Sequence, residues 1–80
     1  MESNTIKILF FGQLTDITQT GSIQISDVRD SDEAIEKTLQ QFPSLKNYTY
    51  VIALDKKIIS SNTALKNNQS MAFMPPFSGG

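Results

Sequence analysis

Apolar positions fall into short clusters along the chain, and their spacing changes from alternate residues to a helical period and back. Thr5–Phe11 (TIKILFF) is β-branched and aromatic and closes at Gly12, which predicts a strand. Ile6, Ile8 and Phe10 fall on one face, Lys7, Leu9 and Phe11 on the other, so both faces are apolar from Leu9 onward. Gly21–Ser26 (GSIQIS) alternates, with Ile23 and Ile25 inward and Gln24 outward, as in a strand solvated on one side. Ile35, Leu39 and Phe42 then recur at i, i+4 and i+7, a stripe that predicts a helix packed on the core. Asp30 is placed to cap it, Glu33 stands where a capping box needs an acid, and Pro43 ends it. Tyr50–Leu54 (YVIAL) predicts a third strand, turning at Asp55-Lys56-Lys57 into a short partner at Ile58–Ile59. Lys56 and Lys57 read as a solvated turn. Ser60–Ser70 reads as a polar loop anchored by Leu65, and Met71–Met74 (MAFM) as the last strand.

The order strand, strand, helix, strand, short strand, strand predicts an α+β architecture: a mixed sheet of about five strands with one main helix on one face. That order and length suit a ubiquitin-like β-grasp, with the first two strands a hairpin and the last strand beside the first in the sheet centre. Residues 1–80 read as one domain, 1–74 globular and 75–80 an extended tail. Two accounts of the doubly apolar first strand stay open. Its central position requires apolar residues on both sides, or the face away from the helix carries a docking patch of Leu9, Phe11 and Met74.

Composition narrows the chemistry. Among 80 residues, Lys and Arg number 7 and Asp and Glu 8, for a net charge of −1. No basic excess exists to neutralise phosphates, which argues against nucleic acid as a partner. No uninterrupted apolar run is longer than Tyr50–Leu54, far short of the roughly 20 residues of a membrane-spanning helix. Met1-Glu2-Ser3-Asn4 lacks the basic and apolar regions of a secretory signal, so the cytoplasm is the expected location. There is no Cys and no His. Thiolate nucleophiles, disulfides and the commonest metal ligands are thereby excluded, and no metal site is expected. The inventory suits a partner or carrier better than a free-standing enzyme.

The candidate chemistry lies at the C-terminal end, Pro75-Pro76-Phe77-Ser78-Gly79-Gly80. Two prolines end strand pairing and send the chain out extended, and six such residues reach roughly 20 Å. Phe77 offers one hydrophobic anchor. Gly79 and Gly80 carry no side chain, so the terminal carboxylate fits a channel only as wide as the backbone. Such an end suits handling by another protein's active site.

IKILFFGQL at 6–14 and MAFMPPFSGG at 71–80 resemble the small subunits of molybdopterin synthase, the ubiquitin-like sulfur carriers of molybdenum cofactor synthesis. The turn Lys66-Asn67-Asn68-Gln69-Ser70 departs from that family, where it is often acidic and contains Gly. The resemblance implies that an E1-like adenylyltransferase uses ATP to adenylate the Gly80 carboxylate, which becomes a thiocarboxylate and gives its sulfur to a pyranopterin precursor. It implies no stably bound cofactor, catalytic residues on a large synthase subunit, and a heterotetramer of two small and two large subunits. By the same resemblance, Gly79 and Ser78 line the large subunit's channel, Phe77 anchors, Pro75 and Pro76 direct the tail, and Phe11, Phe73 and Met74 contribute to docking. The competing readings are a sulfur carrier of thiamine synthesis, a protein modifier conjugated through Gly80, and an interaction domain with an inert tail.

Overall fold

The computed structural model describes residues 4–76. Five strands form one sheet: β1 (Thr5–Phe10), β2 (Ser22–Ser26), β3 (Val51–Leu54), β4 (Lys57–Ile59) and β5 (Ser70–Met74). Their order across it is β2-β1-β5-β3-β4. β1 runs antiparallel to β2, with Ile6 opposite Ile25, and parallel to β5, with Ile8 opposite Met71 and Phe10 opposite Phe73. β5 is the middle strand, antiparallel to β3 on its other side. The mixed sheet and, among the described residues, the one long helix are those of a β-grasp. The last strand stands beside the first, as the order of elements predicts.

That helix, α2 (Ser31–Gln41), begins where Asp30 accepts the Glu33 amide on Oδ1 at 2.9 Å. Glu33 reaches past the cap residue: its Oε1 accepts the Arg29 amide at 2.7 Å, so the expected box closes one residue early. A second cap comes from the 60–70 loop, whose Asn62 Oδ1 accepts from the Asp32 amide and the Ser31 hydroxyl. The face of α2 set deepest against the sheet is Ser31, Ala34 and Thr38, all fully buried. Ile35, Leu39 and Phe42 pack on the core from its margin and are only partly buried. Small side chains on the inner line let the helix settle onto the sheet, and Thr38 satisfies its hydroxyl on Ala34 O at 2.9 Å.

Two elements have no counterpart in the sequence reading. Leu14–Thr18 forms a one-turn helix, α1, burying Leu14 and Thr18 between β1 and β2. Pro43–Asn47 forms a 3₁₀ turn that buries Leu45. The Ser60–Ser70 loop is anchored as expected: Leu65 is buried and its amide donates to Arg29 O at 2.9 Å.

On the helix side, Phe73 forms the hub of an aromatic cluster. Its ring centroid lies 4.9 Å from Tyr50 and 5.7 Å from Phe10, and Phe10 meets Phe42 edge to face at 5.6 Å. Burial also raises the Tyr50 pKa above its ordinary value, by desolvating the phenolate. Phe73 is fully buried. It therefore offers no docking surface, contrary to the sequence reading, because strand alternation turns it under the helix and Met74 to the opposite face. Phe73→Ala is expected to cost about 3–5 kcal/mol of folding stability, read from urea unfolding. A cost near that of an exposed position would contradict this packing.

Candidate functional site

Strand alternation leaves the sheet face away from α2 to be filled by the odd residues of β1 and their cross-strand partners. Along one row stand Ser22, Leu9, Ala72, Ala53 and Ile58. Met74 and Val51 are paired in the next, and Phe11 follows Phe10 beyond the end of β1. Ala72 and Ala53 sit at the middle of the sheet, and they are buried without joining the core cluster on the helix side. Their short side chains make the floor of a trough whose walls are larger apolar groups. Leu9, Phe11, Ala53, Asp55, Lys56, Ser70, Ala72 and Met74 enclose a concavity of ≈ 490 Å³. Phe11 is 46% exposed and Ile58 60%. No element of the described chain covers these side chains: β1 is interior in the sheet, and its outer apolar face is open as well.

The polar end of the trough is built by Asp55. Asp55 and Lys56 both take positive φ, 47° and 73°, in a two-residue turn between β3 and β4. Asp55 holds this turn to the start of β5: its Oδ1 accepts the Ser70 amide at 3.1 Å, its Oδ2 accepts Gln69 Nε2 at 2.7 Å, and its own amide donates to Ser70 O. Gln69 Oε1 in turn accepts the Lys66 amide at 2.6 Å. Asn68 supplies the left-handed residue of the 66–70 turn at φ 68°, the conformation for which glycine is the usual choice.

At the opposite end of β5 the tail begins. The Phe11 amide donates to Phe73 O at 3.1 Å, carrying the parallel ladder one residue past β1. The next rung would need an N–H at residue 75, and Pro75 has none. Phe11 O accepts the Leu14 amide at 3.2 Å instead, so the first turn of α1 satisfies the carbonyl that Pro75 leaves free. Pro75 is half-buried beside Gly12, and Pro76 is exposed.

Of the residues picked from the sequence, Phe11 and Met74 thus share the outer face, while Pro75 and Pro76 lie at its tail end. Phe73 is on the other side. Phe77, Ser78, Gly79 and Gly80 lie outside the described residues. Sequence reasoning missed Ala53, Ala72 and Ile58. The signal for them was present: alanines at the alternate positions of YVIAL and MAFM, which occupy a face without filling it. Among the described residues no group of His, Cys, Asp and Glu could hold a metal ion, and no helix is long and apolar enough to cross a membrane. A second concavity, of ≈ 370 Å³, lies along α2 and includes Asp32, Glu36 and Lys46.

The Ser70 amide, then the Gln69 side chain, stabilise ionised Asp55 and hold its pKa below the ordinary carboxylate value. A carboxylate depressed in the folded state adds stability above its unfolded pKa, and that stability is lost as pH falls through the folded value. Wild type should therefore lose more stability than Asp55→Asn between neutral pH and about pH 2, read as the shift of the urea midpoint. Parallel pH profiles for the two chains would contradict the clamp.

The ThiS family model matches residues 8–80. The curated molybdopterin synthase sulfur carrier subunit of Haemophilus influenzae is 28% identical over 80 residues, covering 94% of this chain and 99% of that protein. Among solved structures, the small archaeal modifier protein 1 of Methanosarcina acetivorans matches all of both chains with a TM-score of 0.83 at 18% identity, a likeness of fold. The complex of subunits 1 and 2 of molybdopterin-converting factor from Helicobacter pylori supplies a chain with a TM-score of 0.72 at 28% identity, over 95% of this chain and 99% of that one. The family match runs from β1 through the strands of the outer face to the final Gly-Gly, and this chain belongs to the ThiS family.

Proposed function

We propose that this chain is a sulfur carrier of the molybdopterin-synthase type, and that its reactive group is the carboxylate of Gly80. One observation carries the reading beyond family membership: the central strand β5 runs along an uncovered apolar trough and gives way, at Pro75, to the tail. A partner seated in the trough would meet the tail at its root. Residues 75–80 are then the working segment, with Pro75 and Pro76 directing it, Phe77 anchoring it, and Ser78 and Gly79 passing through a channel of backbone width.

The chemistry follows from the residue inventory. A carboxylate is a poor electrophile, and this chain has no Cys or His to activate it or to carry sulfur on a side chain. An E1-like adenylyltransferase would use ATP to convert the Gly80 carboxylate to an acyl-adenylate, with pyrophosphate leaving. Sulfide-level sulfur from a sulfur-transfer enzyme then attacks the acyl carbon and AMP leaves, giving a thiocarboxylate. That soft nucleophile is delivered to a pyranopterin precursor in the active site of a large subunit, which supplies the catalytic residues. The relative from Helicobacter pylori, solved as a complex of two subunits, supports a partner of this kind. Two small and two large subunits form the assembly, in the cytoplasm. Phe11 and Met74 dock with the large subunit from the outer face, joined by Ile58.

The test is an intact mass measured after co-expression with the host's activating and sulfur-transfer enzymes. A sulfur-for-oxygen exchange localised to Gly80 is expected, and deletion of Gly80 should abolish it without moving the melting temperature. A lysine-linked adduct, or unchanged loading in the deletion, would overturn the assignment.

A further inference from the structure

Gly12 stands at the junction of β1 and α1 with φ +60°, a left-handed conformation that side chains rarely adopt. That conformation explains a glycine or an asparagine. A second observation goes further: a Cβ added to Gly12 would lie 2.7 Å from Pro75 Cγ and 3.4 Å from Pro75 Cδ. Real Cβ atoms do not approach so closely, and Pro75 is the residue at which β5 becomes the tail. The neighbours give it little freedom to yield. One residue before Gly12, Phe11 is bonded to Phe73 O, and after it the Thr15 amide and hydroxyl both donate to Gly12 O, at 3.2 and 2.8 Å. On the other side, Phe73 is locked in the aromatic cluster.

We infer that Gly12 is a positioning residue for the C-terminal tail: its bare Cα is the seat on which the Pro75 ring rests, and the seat sets the direction in which the chain leaves the sheet. The inference rests on the sulfur-carrier reading for its consequence and on geometry alone for the seat. The approach seen at Gly12 is to Pro75, so Gly12 acts on the tail through that ring. Any side chain at position 12 lifts the ring and redirects every residue beyond it. The reactive carboxylate then samples the activating enzyme's site less often in a productive pose, while the apolar trough still docks normally.

Two substitutions separate this role from backbone strain. Gly12→Ala adds both a Cβ and a poor φ; Gly12→Asn adds the same Cβ but tolerates the left-handed conformation. The readouts are the melting temperature, the Pro75 and Pro76 NMR resonances, and kcat and KM for thiocarboxylate formation with this chain as the varied substrate. Gly12→Asn should melt above Gly12→Ala, shift the Pro75 and Pro76 resonances, and lower kcat about 10–100-fold with KM nearly unchanged. In a Pro75→Ala background, which removes the ring, Gly12→Asn should cost little further. The inference is overturned if Gly12→Asn leaves the Pro75 resonances where they are, if it loads with wild-type kcat, or if kcat follows melting temperature across the variants. A wild-type chain that never loads would instead refute the sulfur-carrier reading, and the resonances alone would then decide whether the seat exists.

Discussion

The parallel pairing of β1 with β5 is the constraint from which the rest follows. It brings the last strand of the chain to the middle of the sheet, where it must be apolar on both faces. It also aligns the end of β5 with the Phe11–Gly12 turn, so that the prolines leave the sheet next to α1. A proline at position 75 stops the ladder because it has no N–H, and the carbonyl it would have met bonds to α1 instead. The tail therefore departs from a fixed point of a rigid element, although the chemistry assigned to it needs reach.

The two faces of the sheet are finished differently. Under α2, Phe10, Phe42, Tyr50 and Phe73 interlock, and the inner line of the helix is small enough to let them do so. On the other face, Ala53 and Ala72 occupy the centre with little volume, flanked by larger neighbours, and no element of the described chain fills the trough above them. An apolar floor bordered by Phe11, Met74 and Ile58 gains stability when covered. The fold thus spends its large aromatic groups on anchoring β5 and leaves a shallow complementary surface beside the tail. Under the proposed function, binding energy from that surface would hold the chain while its backbone end is processed elsewhere.

Much of this was legible in the sequence. The order of elements predicted the β-grasp, the doubly apolar stretch of TIKILFF from Leu9 onward fitted an interior strand or an open patch, and Asp30 with Pro43 bounded the main helix. What escaped has physical causes. Leu14–Thr18 is too short and too rich in threonine to show a helical period, and it exists because Gly12 turns the chain and Leu14 is pulled into the core. Ile35, Leu39 and Phe42 carry the helical period yet sit at the margin of the core, because close helix–sheet packing favours the small Ser31, Ala34 and Thr38 on the inner line. Phe73 and Met74 are adjacent in a strand and face opposite ways, so the two cannot share one docking patch. The seat formed by Gly12 could not be read at all, since it depends on a contact between residues 63 positions apart.

The central claim is that bond-making belongs to the backbone end of this chain and to no side chain. It is tested most directly by preparing the chain with its C-terminus as a primary amide and assaying the ATP-dependent release of pyrophosphate by the activating enzyme. The free acid should support release and the amide, with the same fold and the same trough, should not. Equal release from both would place the reactive group elsewhere and contradict the account.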